Sequence, residues 1–189
     1  MPTTVVPQKA SGWKAIATDD DRARLSGWRQ GFTSALEEAR KAGRADEIAR
    51  EGALLQPDAA LPNPAIPPGL YRCRVIKVGS KTPGLQPFVS YPPFDCQVGQ
   101  PGKRQSFAKL NGSQRQVGAI FADDSLRSVF LGTLVLGDES RALRYAADEE
   151  RDVAGYLERI GDDRWRLMMP SPHFESKLDV LELTPAGKE

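Results

Sequence analysis

"LYRCRVIKVGS", residues 70–80, is where the chain changes its period. Upstream, apolar residues recur every three or four positions; from Leu70 onward they recur every second one. Tyr71, Cys73 and Val75 fall on one side of this stretch, Arg72 and Arg74 on the other, which is the alternation of a half-buried strand. The same period predicts strands near 70–79, 94–98, 104–110, 115–122, 127–136, 142–146, 152–160, 164–169 and 178–184. Most of the connections carry turn chemistry: Asn111-Gly112, Asp123-Asp124, Gly137-Asp138 and Gly161-Asp162-Asp163. "DRWRLMMP", 163–170, alternates well, with Trp165, Leu167 and Met169 on one face and Arg164, Arg166 and Met168 on the other. "RSVFLGTLVLG", 127–137, is apolar on both faces, so both must be covered. Gly118 and Gly132 inside strand patterns fit close approach or sheet curvature. Eight or nine short strands in meander order, with few candidates for a crossover helix, predict an α+β protein built on an antiparallel up-and-down β-barrel; a β-sandwich is the alternative.

The upstream half supplies the cover. Residues 18–55 read as a helical segment. Thr18 and the three aspartates after it suit an N-cap and the positive end of a helix dipole. Leu25, Trp28, Phe32, Ala35, Leu36 and Ala39 form one apolar stripe, and Gly27 and Gly31 within it allow either close packing or a kink. This stripe is expected to pack on the outside of the sheet rather than form a separate domain. "QPDAALPNPAIPPG", 56–69, is too rich in proline for helix or central strand and reads as a linker that lies on the surface or buries Leu61 and Ile66. Residues 1–17 read as a flexible leader and 70–189 as the barrel.

With 26 basic and 25 acidic residues, no global charge draws the chain to nucleic acid. No window approaches the ~20 apolar residues of a transmembrane helix. The opening "MPTTVVPQKASGW" lacks the cationic start and apolar run of a signal peptide, so an exported reading takes that peptide as already removed. If the strands bearing Cys73 and Cys96 pair as a hairpin, the two cysteines come within disulfide reach, as in an exported protein; the alternative is two buried thiols. A zinc site is disfavoured, because there is no CxxC spacing and only one histidine, His173.

The stretches "DAALPNPAIPPGLYRCRVIKVGS", "YPPFDCQV", "GSQRQVGAIF" and "RWRLMMPSP", spanning roughly residues 55–175, resemble a family of mostly exported bacterial proteins classed as a domain of unknown function. The resemblance implies a periplasmic or secreted location and favours the disulfide. It implies no activity, cofactor or catalytic residue. In strand count alone the chain is similar to lipocalin-like barrels.

Candidate sites follow from the barrel. A cavity lined by Tyr71, Val117, Phe121 or Trp165, with Arg115 holding a carboxylate or phosphate, would make this a binding protein for a small molecule or a protein partner. In "KLNGSQRQVG", Ser113 and Gln114 could hydrogen-bond a ligand at the rim, or satisfy their own turn. Residues 69–118 carry eight basic residues against Asp95 alone, while 119–189 carry nine basic and fifteen acidic, which fits either a basic face or pairing of oppositely charged strands. The acidic run 138–152 matches no calcium loop and is interleaved with arginines. A hydrolase using His173 at the barrel mouth is the alternative from another class, though no nucleophile elbow is present. A purely structural interaction domain with a filled barrel is a third reading. No cofactor or metal is expected.

Overall fold

A computed structural model describes residues 12–187. Nine strands follow the helical segment: β1 Gly69–Val78, β2 Phe88–Ser90, β3 Phe94–Val98, β4 Gln105–Lys109, β5 Gln114–Ala122, β6 Arg127–Leu136, β7 Asp152–Gly161, β8 Arg164–Pro170 and β9 Leu178–Pro185. All pairings are antiparallel between neighbours, and β9 returns to β1, from Val78 opposite Leu178 to Tyr71 opposite Pro185. Eight strands therefore close a barrel, and β2 is extra. The strand expected at 142–146 is absent: β6 pairs directly with β7, leaving no free edge for it. Tyr145 instead reaches the helical layer, its hydroxyl accepting from Thr18 N at 3.1 Å and donating to Asp21.

β2 and β3 are one strand interrupted by a bulge. Ser90 lies opposite Ile76 and Phe94 opposite Cys73, so three residues, Tyr91 to Pro93, span two positions of β1. Pro92 and Pro93 have no N–H to give a ladder, which is why the pairing breaks here. β4 ends at Lys109, opposite Cys96, whereas β2 pairs with β1 alone. At this end the wall is consequently open between β2 and β5.

Alternation sorts the side chains into two cores. The inner one holds Tyr71, Cys73, Val75, Cys96, Phe107, Ile120, Phe130, Leu157, Trp165, Leu167 and Leu181. Cys73 and Cys96 form a disulfide within it, Cα atoms 5.9 Å apart, and are diagonal neighbours: Cys96 lies opposite Tyr71 and Cys73 opposite Phe94. Gly118 faces Gly132 across β5 and β6; a Cβ on either would lie 2.3–2.5 Å from the neighbouring strand's backbone, so only glycine permits this approach.

The outer core joins Ile76, Val78, Val129, Leu131, Tyr156, Met168 and Val180 to the helical stripe: Leu25, Phe32, Ala35, Leu36 and Ala39 are all buried there, with Trp28 partly so. That stripe runs over two helices rather than one, α2 Asp19–Ser26 and α3 Trp28–Ala39, because the chain kinks at Gly27. Thr18 caps α2 by accepting from Asp21 N at 3.2 Å. Before it, Gly12–Ile16 forms a short helix, α1, inside the stretch that reads as leader; Trp13 is buried and donates to Asp123 at 2.9 Å. Residues 1–11 lie outside the described residues. After α3 come a π-helical turn, Arg40–Arg44, a helix α4, Ala45–Arg50, and a 3-10 turn, Gly52–Leu55.

The proline-rich linker closes one end of the barrel. Ile66 is buried in the inner core while Leu61 stays partly exposed and bridges Arg159. The Tyr71 hydroxyl donates to Pro67 O at 2.7 Å, and Gln105 Nε2 donates to Ile66 O at 2.9 Å.

Candidate functional site at the open end of the barrel

The inner face of β1 reads Tyr71, Cys73, Val75, Lys77; that of β4 reads Gln105, Phe107, Lys109. Each apolar run ends in a lysine, and the register brings both lysines to the open end. There a cavity of about 90 Å³ is lined by Val75, Lys77, Tyr91, Phe94, Lys109, Ser113, Gln114, Gln116 and Glu175.

The two lysines are held differently. Lys77 is matched by acids: its Nζ lies 3.4 Å from Asp179 Oδ2, its direct partner on β9, and 3.3 Å from Glu175 Oε2. It also donates to Gln114 Oε1 at 3.1 Å. Burial works against its charge, but the two carboxylates outweigh that and keep its pKa above the ordinary lysine value. Asp179 in turn accepts from the Ser176 hydroxyl.

Lys109 is 4 % exposed and has no carboxylate partner among the described residues. Its Nζ donates to Gln114 O at 2.8 Å and sits 3.8 Å from the centroid of the Phe94 ring. Burial first, then Lys77 and Arg115, push its pKa down to about 8. Beside it, Gln116 is also 4 % exposed, and its Oε1 has no hydrogen-bond partner. A buried cation lacking a counter-ion and a buried unmatched amide, in one cavity, are each costly in a filled core.

The residues expected to line a site are not brought together. Tyr71 and Trp165 meet edge to face, 6.1 Å apart, at the filled, linker-closed end. Phe121 points outward, into the core beneath the helical layer, because β5 turns its other face, Gln116, Gly118 and Ile120, inward. Arg115 also points outward and clamps turns, donating to the carbonyls of Gly112 (2.7 Å), Gly137 (2.9 Å) and Glu139 (2.7 Å). Of the rim candidates, Ser113 and Gln114 do line the cavity. Lys77, Lys109, Gln116 and Glu175 were not singled out by the sequence; a lysine ending an apolar strand face was the available signal. His173 lies with Nε2 3.2 Å from Arg24 Nη2, and among the described residues no hydrogen bond joins it to a serine. Arg74 opposite Glu182 and Lys77 opposite Asp179 show the basic and acidic halves pairing where β1 meets β9.

These features define a closed antiparallel barrel with a disulfide inside, a helical layer on one flank and a polar mouth. The chain belongs to the family described as a domain of unknown function, DUF4893, which matches residues 13–183. No curated protein and no solved structure matches it. No helix among the described residues is long and apolar enough to cross a membrane.

Proposed function

We propose that this chain is a binding protein, not a hydrolase, and that it takes a small anionic molecule into the open end of its barrel. The observation that carries this reading is the pairing of Lys109, buried without a counter-ion, with the unmatched Gln116 Oε1 in one cavity. An anion accepting from Lys109 restores charge balance, and Gln116, its amide turned to present Nε2, can donate to the same anion. The disulfide supports a working location in an oxidising compartment, the periplasm or outside the cell.

The test is titration with acetate and with inorganic phosphate, followed by amide chemical shifts of wild-type protein and of Lys109→Met, which keeps the side-chain length and removes the charge. Shifts confined to β4, β5 and residues 91–94 that vanish in the variant are expected. Shifts scattered over surface lysines, or unchanged in Lys109→Met, overturn the reading. The filled lower barrel favours a second reading, a structural interaction domain; under it neither anion shifts the mouth at all.

A further inference from the structure

The cavity does not end at its own walls. A second cavity, of about 280 Å³, is lined by Lys77, Gly79, Gly84, Leu85, Gln86, Val89, Tyr91, Glu175 and Ser176. It shares Lys77, Tyr91 and Glu175 with the inner one. The inner space, about 90 Å³, is the smaller of the two and has room for a carboxyl group. A longer molecule that fills both passes Lys77, Tyr91 and Glu175, the residues they share.

Glu175 stands at that passage. One carboxylate oxygen lies 3.3 Å from Lys77 Nζ, and the other accepts from Gln114 Nε2 at 3.3 Å. These are the contacts an incoming carboxylate would make with the same two residues. The residue is on the β8–β9 connection and has a φ of 66°, a left-handed conformation that costs a non-glycine residue. Its backbone is fixed, since its carbonyl accepts from Lys81 N at 2.9 Å. Its side chain is 46 % exposed, so the carboxylate can swing to solvent while the loop stays in place. Lys77 would then keep Asp179, and a ligand carboxylate would restore the charge removed.

We propose that Glu175 is a built-in stand-in for the ligand, and that the ligand is a carboxylate on an unbranched chain which displaces it. The carboxylate enters between Lys77 and Lys109, and the chain runs past Tyr91 along Leu85 and Val89. Leu85 is 47 % exposed and, with Val89 and Tyr91, gives this cavity its apolar surface. This inference rests on the mouth reading above, and it adds the ligand's class and the competitor already in place.

The competition sets the size of the effect. A partly exposed ion pair such as Lys77–Glu175 is weak, so removing the competitor should tighten binding roughly two- to fivefold. Calorimetry with octanoate, acetate and octanol on the full chain separates the parts. Octanoate is expected to bind at least about tenfold tighter than acetate, since a buried chain adds apolar contact, and octanol is expected to bind weakest. Glu175→Gln and Glu175→Gly are both expected to bind octanoate more tightly than wild type. The glycine variant relieves the positive φ, so a folding defect in one variant leaves the other decisive. Lys109→Met is expected to lose octanoate binding.

Octanoate binding that depends on Lys109 but is unchanged or weakened in both Glu175 variants overturns the stand-in role and leaves the mouth reading intact. Octanoate binding no tighter than acetate overturns the chain. No binding of either acid by wild type or either Glu175 variant overturns the mouth reading itself.

Discussion

Replacing Arg166 by Met should destabilise the protein more than almost any other single change outside the inner core. Arg166 is on β8, on the face beneath the helical layer, and is fully buried. Its guanidinium gathers the carbonyls at the end of that layer. Nη1 donates to Ala53 O (3.1 Å), Leu54 O (3.1 Å) and Gln56 O (2.7 Å), and Nη2 to Pro57 O (3.1 Å). Ala53 O and Gln56 O also accept from Gln56 N and Ala59 N, each at 3.3 Å, so for these two the guanidinium is a second donor. Nη2 also lies 3.4 Å from Glu158 Oε1, its cross-strand partner, itself fully buried. The Phe32 ring centroid is 5.1 Å from the guanidinium carbon. One side chain thus joins the barrel wall, the helical stripe and the start of the linker.

Methionine keeps the aliphatic bulk, so the loss is electrostatic. It leaves Glu158 buried with only Arg127, 3.6 Å away, and takes the guanidinium donor from four carbonyls. Breaking a buried pair by removing one partner costs about 3–5 kcal/mol. Against a typical total of about 5–15 kcal/mol, that is a large share. Urea unfolding of wild type and Arg166→Met, followed by tryptophan fluorescence, measures it. Adding Glu158→Gln to the variant removes the stranded charge and should recover part of the loss, whereas two independent defects would add. An Arg166→Met stability within about 0.5 kcal/mol of wild type, the scatter of ordinary surface substitutions, would refute the clamp.

Two further outcomes follow from the barrel interior. Reducing the Cys73–Cys96 bond, which spans a sequence separation of 23, should lower stability by about 3 kcal/mol through the unfolded chain, read as a shift in the urea midpoint with and without reductant; an unchanged midpoint would count against it. Lys109 sits at about 8 when folded and returns toward 10.5 on unfolding, so the unfolded chain binds more protons between those values and stability should rise with pH across that window. Lys109→Met should lack that rise, with Lys77, Glu175, Asp179 and Arg115 left in place around the site; anion affinity of the wild type should fall above about pH 8. A wild-type profile parallel to that of the variant would refute the assignment.

The change of period at Leu70 and the helical stripe were legible because each is a pattern along one segment, whereas the linker was left open between lying on the surface and burying Leu61 and Ile66, and only Ile66 is buried. Phe121 was not legible, because β5 is apolar on both faces. Ile120 and Phe121 are equally plausible inside, and only the Gly118–Gly132 approach, a fact about two strands, turns the even-numbered face inward. The strand expected at 142–146 failed for a similar reason. "RALRY" has the composition of an edge strand, but β7 had already taken the edge of β6. Alternation puts Arg166 on the face opposite Trp165, Leu167 and Met169, and it becomes a buried clamp only once the helices cover that face. The mouth was hidden most deeply. Lys77 and Lys109 are 32 positions apart, and nothing local says that they end at the same height in one barrel.

Their different fates also explain why one lysine points to a ligand and the other does not. Lys77 is on β1, whose neighbour β9 supplies Asp179 on the same inward face. Lys109 is on β4, between β3 and β5. β3 has one acid, Asp95, but the alternation that puts Cys96 inside puts Asp95 outside, where its carboxylate accepts from Asn111 Nδ2 at 3.0 Å. β5 carries no acidic residue at all. The bulge at Pro92-Pro93 then keeps β2 from walling the site off. The negative charge that Lys109 needs must come from a side chain reaching across the mouth or from solution. Asp179 is the carboxylate whose charge reaches Lys109, but it is bound to Lys77, as is Glu175. The strand order thus leaves a cation at the one place where the barrel wall is open.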